Sequence, residues 1–146
     1  AASDVYKRQD ENFLMTYGDG VSNVDVNASL DFHLEKKSIV TLTAVRPSGR
    51  FGELQTENGL VTNFLEKPIG GHAFINGGFF VVNKAVETWL EGDASVFELS
   101  ALERLADEGR LAAFKHEGFW QCMDNIREVA LLNELWKSGD APWKTW

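Results

Sequence analysis

A carboxylate flanked by two glycines is the part of this sequence best suited to do chemistry. Asp19 lies between Gly18 and Gly20, directly after the apolar run 13–16. A short apolar run that ends in glycine predicts a buried strand followed by a tight turn. Because ligands of open α/β sheets bind at the carboxyl ends of strands, we expect Asp19 to contact a metal ion or a phosphate. An ordinary turn with a solvated aspartate would show the same local pattern.

A second carboxylate, Asp124, follows the aromatic residues Phe119 and Trp120 near the end of the sequence. Mg²⁺ usually binds one or two carboxylates together with substrate phosphates. Asp19 and Asp124 together therefore favour a magnesium site for phosphoryl or nucleotidyl transfer, in which the protein mainly positions reactants and offsets charge. The alternative for Asp124 is a structural role as the N-cap of the helix that follows. The three histidines have no ligand spacing, which argues against zinc.

Two polar patches between these carboxylates suit a sugar phosphate. Lys67 can meet a phosphate as a point charge, and Glu66 can accept hydrogen bonds from sugar hydroxyls. Solvated surface charges would look the same in sequence. Asn76 precedes Gly77 inside an apolar run, and glycine within a strand marks a bulge or the close approach of a ligand. We therefore expect Asn76 to form hydrogen bonds with a sugar.

The composition is that of a globular domain and excludes several functions. The 146 residues are 44% hydrophobic and 25% charged, which is sufficient for one domain with a core. A formal net charge of −8 argues against binding nucleic acid or an anionic membrane through a basic surface. The single cysteine, Cys122, is expected to serve packing and favours a reducing compartment. Since no apolar run approaches the length of a membrane span, we predict a cytoplasmic protein.

Strand and helix patterns alternate along the chain, with a hairpin inserted midway. Predicted strands cover about 13–16, 38–45, 51–55, 60–66, 73–83 and 111–115, and predicted helices about 24–36, 84–90, 95–108 and 125–137. Asn23 is expected to cap the first of these helices, and Asn58-Gly59 to turn the hairpin. This order predicts an α/β fold with a mixed, mostly parallel sheet that carries an inserted β-hairpin.

The order of these motifs resembles the sugar-1-phosphate nucleotidyltransferases. The matching motifs are Gly18-Asp19-Gly20, Glu66-Lys67-Pro68, Asn76-Gly77-Gly78 and Trp120-Gln121-Cys122-Met123-Asp124. Within that family, the segments 16–21, 49–52, 118–121 and 141–146 are similar to those of the glucose-1-phosphate cytidylyltransferases. The resemblance extends from Asp10 to the last residue of the sequence.

The resemblance implies a Rossmann-like nucleotidyltransferase fold and a defined reaction. A cytidylyl group would pass from CTP to α-D-glucose 1-phosphate, giving CDP-glucose, for polysaccharides such as O-antigen, and pyrophosphate, with Mg²⁺ as cofactor. The implied catalytic residues are Asp19, Lys67 and Asp124, of which Asp19 and Asp124 would hold the metal. The implied substrate-binding residues are Gly52, Glu66, Lys67, Asn76 and Gly77. The full-length enzyme would be a homo-oligomer.

The sequence departs from the family pattern in three places. Cys122 and Asn125 stand where the family usually has proline and threonine, and the glycine-rich loop that cradles the triphosphate does not occur. Residues 1–9 resemble a translated sequencing adapter. We therefore expect residues 10–146 to be the C-terminal, sugar-phosphate and metal half of one nucleotidyltransferase domain, truncated at its N-terminus and inactive alone. The alternatives are a uridylyl- or thymidylyltransferase and a non-catalytic, sugar-phosphate-binding regulatory homologue.

Overall fold

A computed structural model of the chain describes residues 11–47, 53–65, 73–90, 92 and 96–145. The strands are β1 (Asn12–Thr16), β2 (Gly20–Ser22), β3 (Val40–Val45), β4 (Glu53–Glu57), β5 (Leu60–Leu65), β6 (Ile75–Asn83), β7 (Leu111–His116) and β8 (Trp120–Cys122). The α-helices are α1 (Val26–Lys36), α2 (Glu103–Asp107) and α3 (Ile126–Ser138). A 3₁₀ helix covers Lys84–Trp89, and a π-helical turn, Phe97–Leu102, runs directly into α2.

The centre of the structure is a four-stranded sheet in the order β1-β6-β3-β7. The predicted mixed sheet is confirmed, but mostly parallel pairing is wrong for the described strands. β6 lies between β1 and β3 and is antiparallel to both, so that only β3 and β7 pair in parallel. The sequence pattern could not show this, because Phe80, Val81 and Val82 of β6 are buried on both faces of the sheet. A continuous apolar run of this kind is typical of parallel strands.

The main apolar core lies where the sheet meets the π-helical turn and α2. Leu105 of α2 is fully buried, as is Val40 of β3. The buried members of this cluster are Phe13, Val40, Phe80, Val82, Val86, Leu102 and Leu105. Burial of each large apolar side chain contributes about 1.5–3 kcal/mol to the free energy of folding. This cluster therefore stabilises the strands that lead to the candidate site.

Helix α1 is capped by Asp25, not by the predicted Asn23. Asp25 Oδ1 accepts a hydrogen bond from the Ala28 N–H at 2.9 Å. The Asn23 N–H instead donates to the Phe119 carbonyl at 3.2 Å. Two apolar residues of α1, Val26 and Leu34, are 44% and 52% exposed, whereas His33 is buried. A polar contact between His33 and the sheet decides which face of α1 is buried.

The imidazole of His33 is the centre of a buried polar network between α1 and the sheet. Its Nδ1 lies 2.8 Å from Thr41 Oγ1, and its Nε2 lies 3.2 Å from Asn12 Oδ1. Because the Asn12 oxygen can only accept, Nε2 carries the proton and Nδ1 accepts from the Thr41 hydroxyl. Burial lowers the pKa of His33 below its usual 6.5, so the ring is neutral in the folded protein at pH 7.

This burial makes the stability of the protein depend on pH. The unfolded chain takes up a proton near pH 6.5 that folded His33 resists, so the free energy of unfolding should fall as pH decreases below that value. We expect His33→Gln to remove part of this dependence. Urea denaturation at pH 7.5, 6.5 and 5.5 measures the free energy of unfolding of the unsubstituted protein and of the variant. An identical pH dependence in the variant would contradict the assignment of the effect to His33.

The predicted hairpin is present as a separate two-stranded sheet, β4-β5. Asn58 and Gly59 form its two-residue turn with φ angles of 50° and 81°. Two successive positive φ angles are those of a type I′ turn, which matches the twist of the flanking strands. Asn-Gly is the dipeptide that tolerates them best, which is why local sequence was sufficient to predict this element.

Helix α3 begins and ends one residue later than predicted, with Ser138 as its last residue. Its N-cap is Asn125, whose Oδ1 accepts from the backbone N–H groups of Arg127 and Glu128 at 3.0 and 3.1 Å. Its C-cap, Gly139, has a φ of 84°. Within the described ranges, no helix has the length and apolarity that a bilayer crossing requires.

Candidate functional site

A short antiparallel ribbon, β2-β8, brings the two candidate carboxylates to the same end of the molecule. Gly20 lies opposite Cys122 in this ribbon. One residue further along, the Met123 N–H donates to the Asp19 carbonyl at 2.7 Å. The turn that bears Asp19 is therefore held directly against the segment that bears Asp124.

A cavity of about 210 Å³ lies beside this ribbon. Four residues predicted for the site line it: Asp19, Asn76, Gly77 and Asp124. The structure thus brings together the two carboxylates and the Asn-Gly pair, although they are far apart in sequence. Gly52, Glu66 and Lys67 lie outside the described residues, and their roles stay predictions.

Asp124 is exposed, and the structure rules out the alternative in which it caps α3. That role belongs to Asn125. The carboxylate of Asp124 is therefore not needed to accept hydrogen bonds from the backbone N–H groups of the first turn of the helix. Asp19 is also exposed at its turn. Both residues line the cavity beside the ribbon.

Glu128 is a further acidic residue beside Asp124 that the sequence did not single out. Its Oε2 accepts from the Asp124 N–H at 2.9 Å and from the Cys122 thiol at 3.9 Å. Ligand atoms of Cys122, Asp124 and Glu128 lie within 4.8 Å of one another. The spacing Asn125 to Glu128 is that of a capping box, and this signal could have identified Glu128.

Cys122 is half-buried beneath these carboxylates. Burial raises the pKa of its thiol, and the neighbouring Asp124 and Glu128 raise it further. Sulfur is a soft donor that suits other metals better than Mg²⁺, which prefers oxygen ligands. The hard carboxylate oxygens remain as the donors at this end of the ribbon.

The glycine pair of β6 forms a bulge that packing alone explains. Leu42 of β3 pairs with Phe80, but Ala44 pairs with Asn76, so the extra residues of β6 bulge between them. A Cβ on Gly77 would lie 2.9 Å from the Thr43 carbonyl oxygen. The bulge also presents the Gly77 carbonyl to Trp120, whose Nε1–H donates to it at 2.8 Å. A contact between Gly77 and substrate stays a prediction.

Gly78 is constrained more tightly than Gly77. Its φ of 75° disfavours any side chain, and a Cβ would collide with the ring of Tyr17. The Tyr17 N–H donates to the Gly78 carbonyl at 3.1 Å, which holds the two backbones together. Tyr17 also lines the cavity, and sequence analysis missed it as a site residue. The sequence signal that could have identified Tyr17 is its position immediately before the Gly-Asp-Gly turn.

The last residues of the chain pack against the ribbon. The ring of Trp143 stacks on Phe119 with centroids 5.4 Å apart, and Ala141 is buried. The Phe119 carbonyl accepts from the Ser22 hydroxyl at 2.8 Å. The tryptophan-containing tail therefore supports the strands that carry the two carboxylates.

Comparison with known proteins agrees with this architecture. The sequence matches the Nucleotidyl transferase family over residues 1–129. It is 50% identical over 141 residues to glucose-1-phosphate cytidylyltransferase from Salmonella typhi, which is 97% of this chain and 55% of the relative. The protein of that name from Salmonella typhimurium matches with the same identity and coverage. The chain spans about half the length of the curated relatives it matches.

The fold is also similar to that of a solved structure. HddC from Yersinia pseudotuberculosis superposes with a TM-score of 0.68 at 20% sequence identity, over 92% of this chain and 59% of that chain. At this identity the likeness concerns the fold alone, and it confirms the predicted fold class. Since the family match extends over most of the sequence, this chain belongs to the nucleotidyl transferase family.

Proposed function

We propose that the full-length protein containing this chain transfers a cytidylyl group from CTP to α-D-glucose 1-phosphate. The observation that carries the proposal is the 50% identity, over 97% of the chain, to proteins named glucose-1-phosphate cytidylyltransferase. It is supported by the cavity in which Asp19, Asn76 and Asp124 meet. The products are CDP-glucose and pyrophosphate.

The reaction in this proposal is a substitution at phosphorus. A phosphate oxygen of glucose 1-phosphate forms a bond to the α-phosphorus of CTP. The bond from that phosphorus to the oxygen bridging to the β-phosphate breaks, and its electron pair leaves with pyrophosphate. Both reactants are anions and the chain carries a net charge of −8, so the site must supply local positive charge. Lys67 is the residue that we assign to the sugar phosphate.

The donor set at the end of the ribbon fits Mg²⁺. Asp19 and Asp124 offer carboxylate oxygens beside the cavity, the hard donors that Mg²⁺ prefers. In the proposal these two aspartates hold the ion, which offsets phosphate charge when it is bound. Glu128 fixes the backbone at Asp124 through the hydrogen bond to its N–H.

The sugar binds, in this proposal, in the same cavity. Asn76 contacts the glucose hydroxyls there, and Gly77 adds its backbone. Gly52 and Glu66 are assigned to the substrate by resemblance to the family. The further proposals by resemblance are a homo-oligomer, a cytoplasmic location and use of the product in O-antigen-type polysaccharide synthesis.

Pyrophosphate release by the full-length protein, expressed from the gene that contains this sequence, tests the proposal. We expect release only when CTP, glucose 1-phosphate and Mg²⁺ are all present, because each supplies one part of the substitution. Reactions lacking one component, and reactions with UTP or dTTP in place of CTP, are the controls. Equal rates with UTP would contradict the cytidylyl assignment. Binding of glucose 1-phosphate without any release would favour the non-catalytic alternative.

A further inference from the structure

The side chain of Tyr17 is held from several sides at the edge of the cavity. Its ring packs edge-on against Phe80, with centroids 5.4 Å apart and planes at 75°. The ring also lies against Gly78, where a Cβ would not fit. A ring fixed in this way holds its hydroxyl at one position, so the groups around that hydroxyl form a preorganised set.

The Tyr17 hydroxyl joins two residues that are distant in sequence. It donates to Oε1 of Glu98, which lies on the π-helical turn. It accepts from Nδ2 of Asn76 at 3.4 Å. Because the Glu98 carboxylate oxygen can only accept, the Tyr17 hydroxyl is the donor in this contact. Turns of π-helix occur frequently at functional sites.

The amide of Asn76 has a defined orientation as a result. Its Oδ1 accepts from the Gly78 N–H at 3.0 Å, while its Nδ2 donates to Tyr17. The amide nitrogen has two N–H groups, and the contact with Tyr17 uses one. Glu98 turns the Tyr17 proton towards itself, which leaves a hydroxyl lone pair to receive the Asn76 amide. Rotation of the amide by 180° would lose both hydrogen bonds.

We propose that Glu98 and Tyr17 are positioning residues, which orient the Asn76 amide for recognition of the sugar hydroxyls of the sugar phosphate. This inference rests on the proposed function. Neither residue needs to touch the reacting phosphates for this role. Their loss should therefore weaken the binding of the sugar phosphate and leave that of the nucleotide unchanged.

The test compares Tyr17→Phe with unsubstituted full-length protein. Phenylalanine keeps the ring contacts with Phe80 and Gly78 and removes only the hydroxyl. We expect the Kd for glucose 1-phosphate, measured by titration calorimetry, and its KM to rise about five- to tenfold, the effect of one lost hydrogen bond. The KM for CTP and the Tm should stay unchanged.

Three variants at acidic positions complete the experiment. Glu98→Ala should raise the Kd for glucose 1-phosphate in the same way, and Glu98→Gln should keep it within about twofold, because the amide oxygen still accepts from Tyr17. Glu103→Ala, an exposed glutamate on the adjoining α2, is the matched control and should change nothing.

The outcomes separate this inference from the proposed function. An unchanged Kd in Tyr17→Phe, or equal increases in the KM values for both substrates, would overturn the positioning role. If unsubstituted protein binds glucose 1-phosphate but releases no pyrophosphate, the transferase proposal fails and the Kd values still decide the role of Glu98. Absence of glucose 1-phosphate binding to the unsubstituted protein would overturn both.

Discussion

Asp124→Ala in the full-length protein is expected to lower kcat for pyrophosphate release by about 10²- to 10³-fold. The substitution removes one of the two carboxylates that we assign to Mg²⁺, at the end of the β2-β8 ribbon. Folding should be retained, with a change in the free energy of unfolding of about 0.5 kcal/mol or less, because Asp124 is exposed and does not cap α3. Steady-state rates and thermal denaturation measure the two quantities.

Substitutions of a neighbouring residue and of a distant residue are the controls for Asp124→Ala. Asn125→Ala removes the real N-cap and should lower stability by about 1 kcal/mol. Asp31→Ala removes an exposed aspartate of α1 and should affect neither rate nor stability. If Asp19 and Asp124 act on one ion, the double variant should be little slower than either single variant. Wild-type activity in Asp124→Ala would exclude the two-carboxylate metal site.

The metal assignment also has a readout that does not depend on turnover. Mn²⁺ is a spectroscopic substitute for Mg²⁺, since both take oxygen ligands. Electron paramagnetic resonance should show weaker Mn²⁺ binding to Asp124→Ala than to the unsubstituted protein. Equal binding would mean that Asp124 is not a ligand, even if its loss slowed the reaction.

Gly78→Ala is expected to lower the free energy of unfolding by about 2–5 kcal/mol. Its φ of 75° costs a non-glycine residue about 1–2 kcal/mol. The new methyl group would also collide with the Tyr17 ring, and overpacking of this kind costs about 1–3 kcal/mol more. Urea denaturation of the full-length protein measures the sum.

Two other glycines separate these contributions. Gly59 has a φ of 81° and open space around it, so Gly59→Ala should show the backbone cost of about 1–2 kcal/mol alone. Gly18 has neither a positive φ nor a neighbour within 4 Å, so Gly18→Ala should not destabilise the protein. The expected order of destabilisation is therefore Gly78, then Gly59, then Gly18. A cost for Gly78→Ala no larger than that for Gly59→Ala would show that the Tyr17 ring moves freely.

Local sequence was sufficient wherever short-range physics decides the structure. The hairpin follows from Asn58-Gly59, because the turn needs two positive φ angles and this dipeptide accepts them. The helix boundaries were predicted only within a residue or two. At α3, Asp124 and Asn125 are both good caps, and only the backbone path shows that Asn125 has the cap geometry.

The sequence by itself determined the residue types of the candidate site, six of the eight described strands and the hairpin. It also indicated that Asp19 follows a strand at a glycine turn. The tertiary structure alone decided that β6 runs against its neighbours, that the β2-β8 ribbon joins Asp19 to Asp124, and that Tyr17 reaches Glu98. The physical reason is that hydrophobic patterns report the burial of a segment, which is local. Strand direction and pairing depend on contacts between residues far apart in the chain, and no local pattern encodes them.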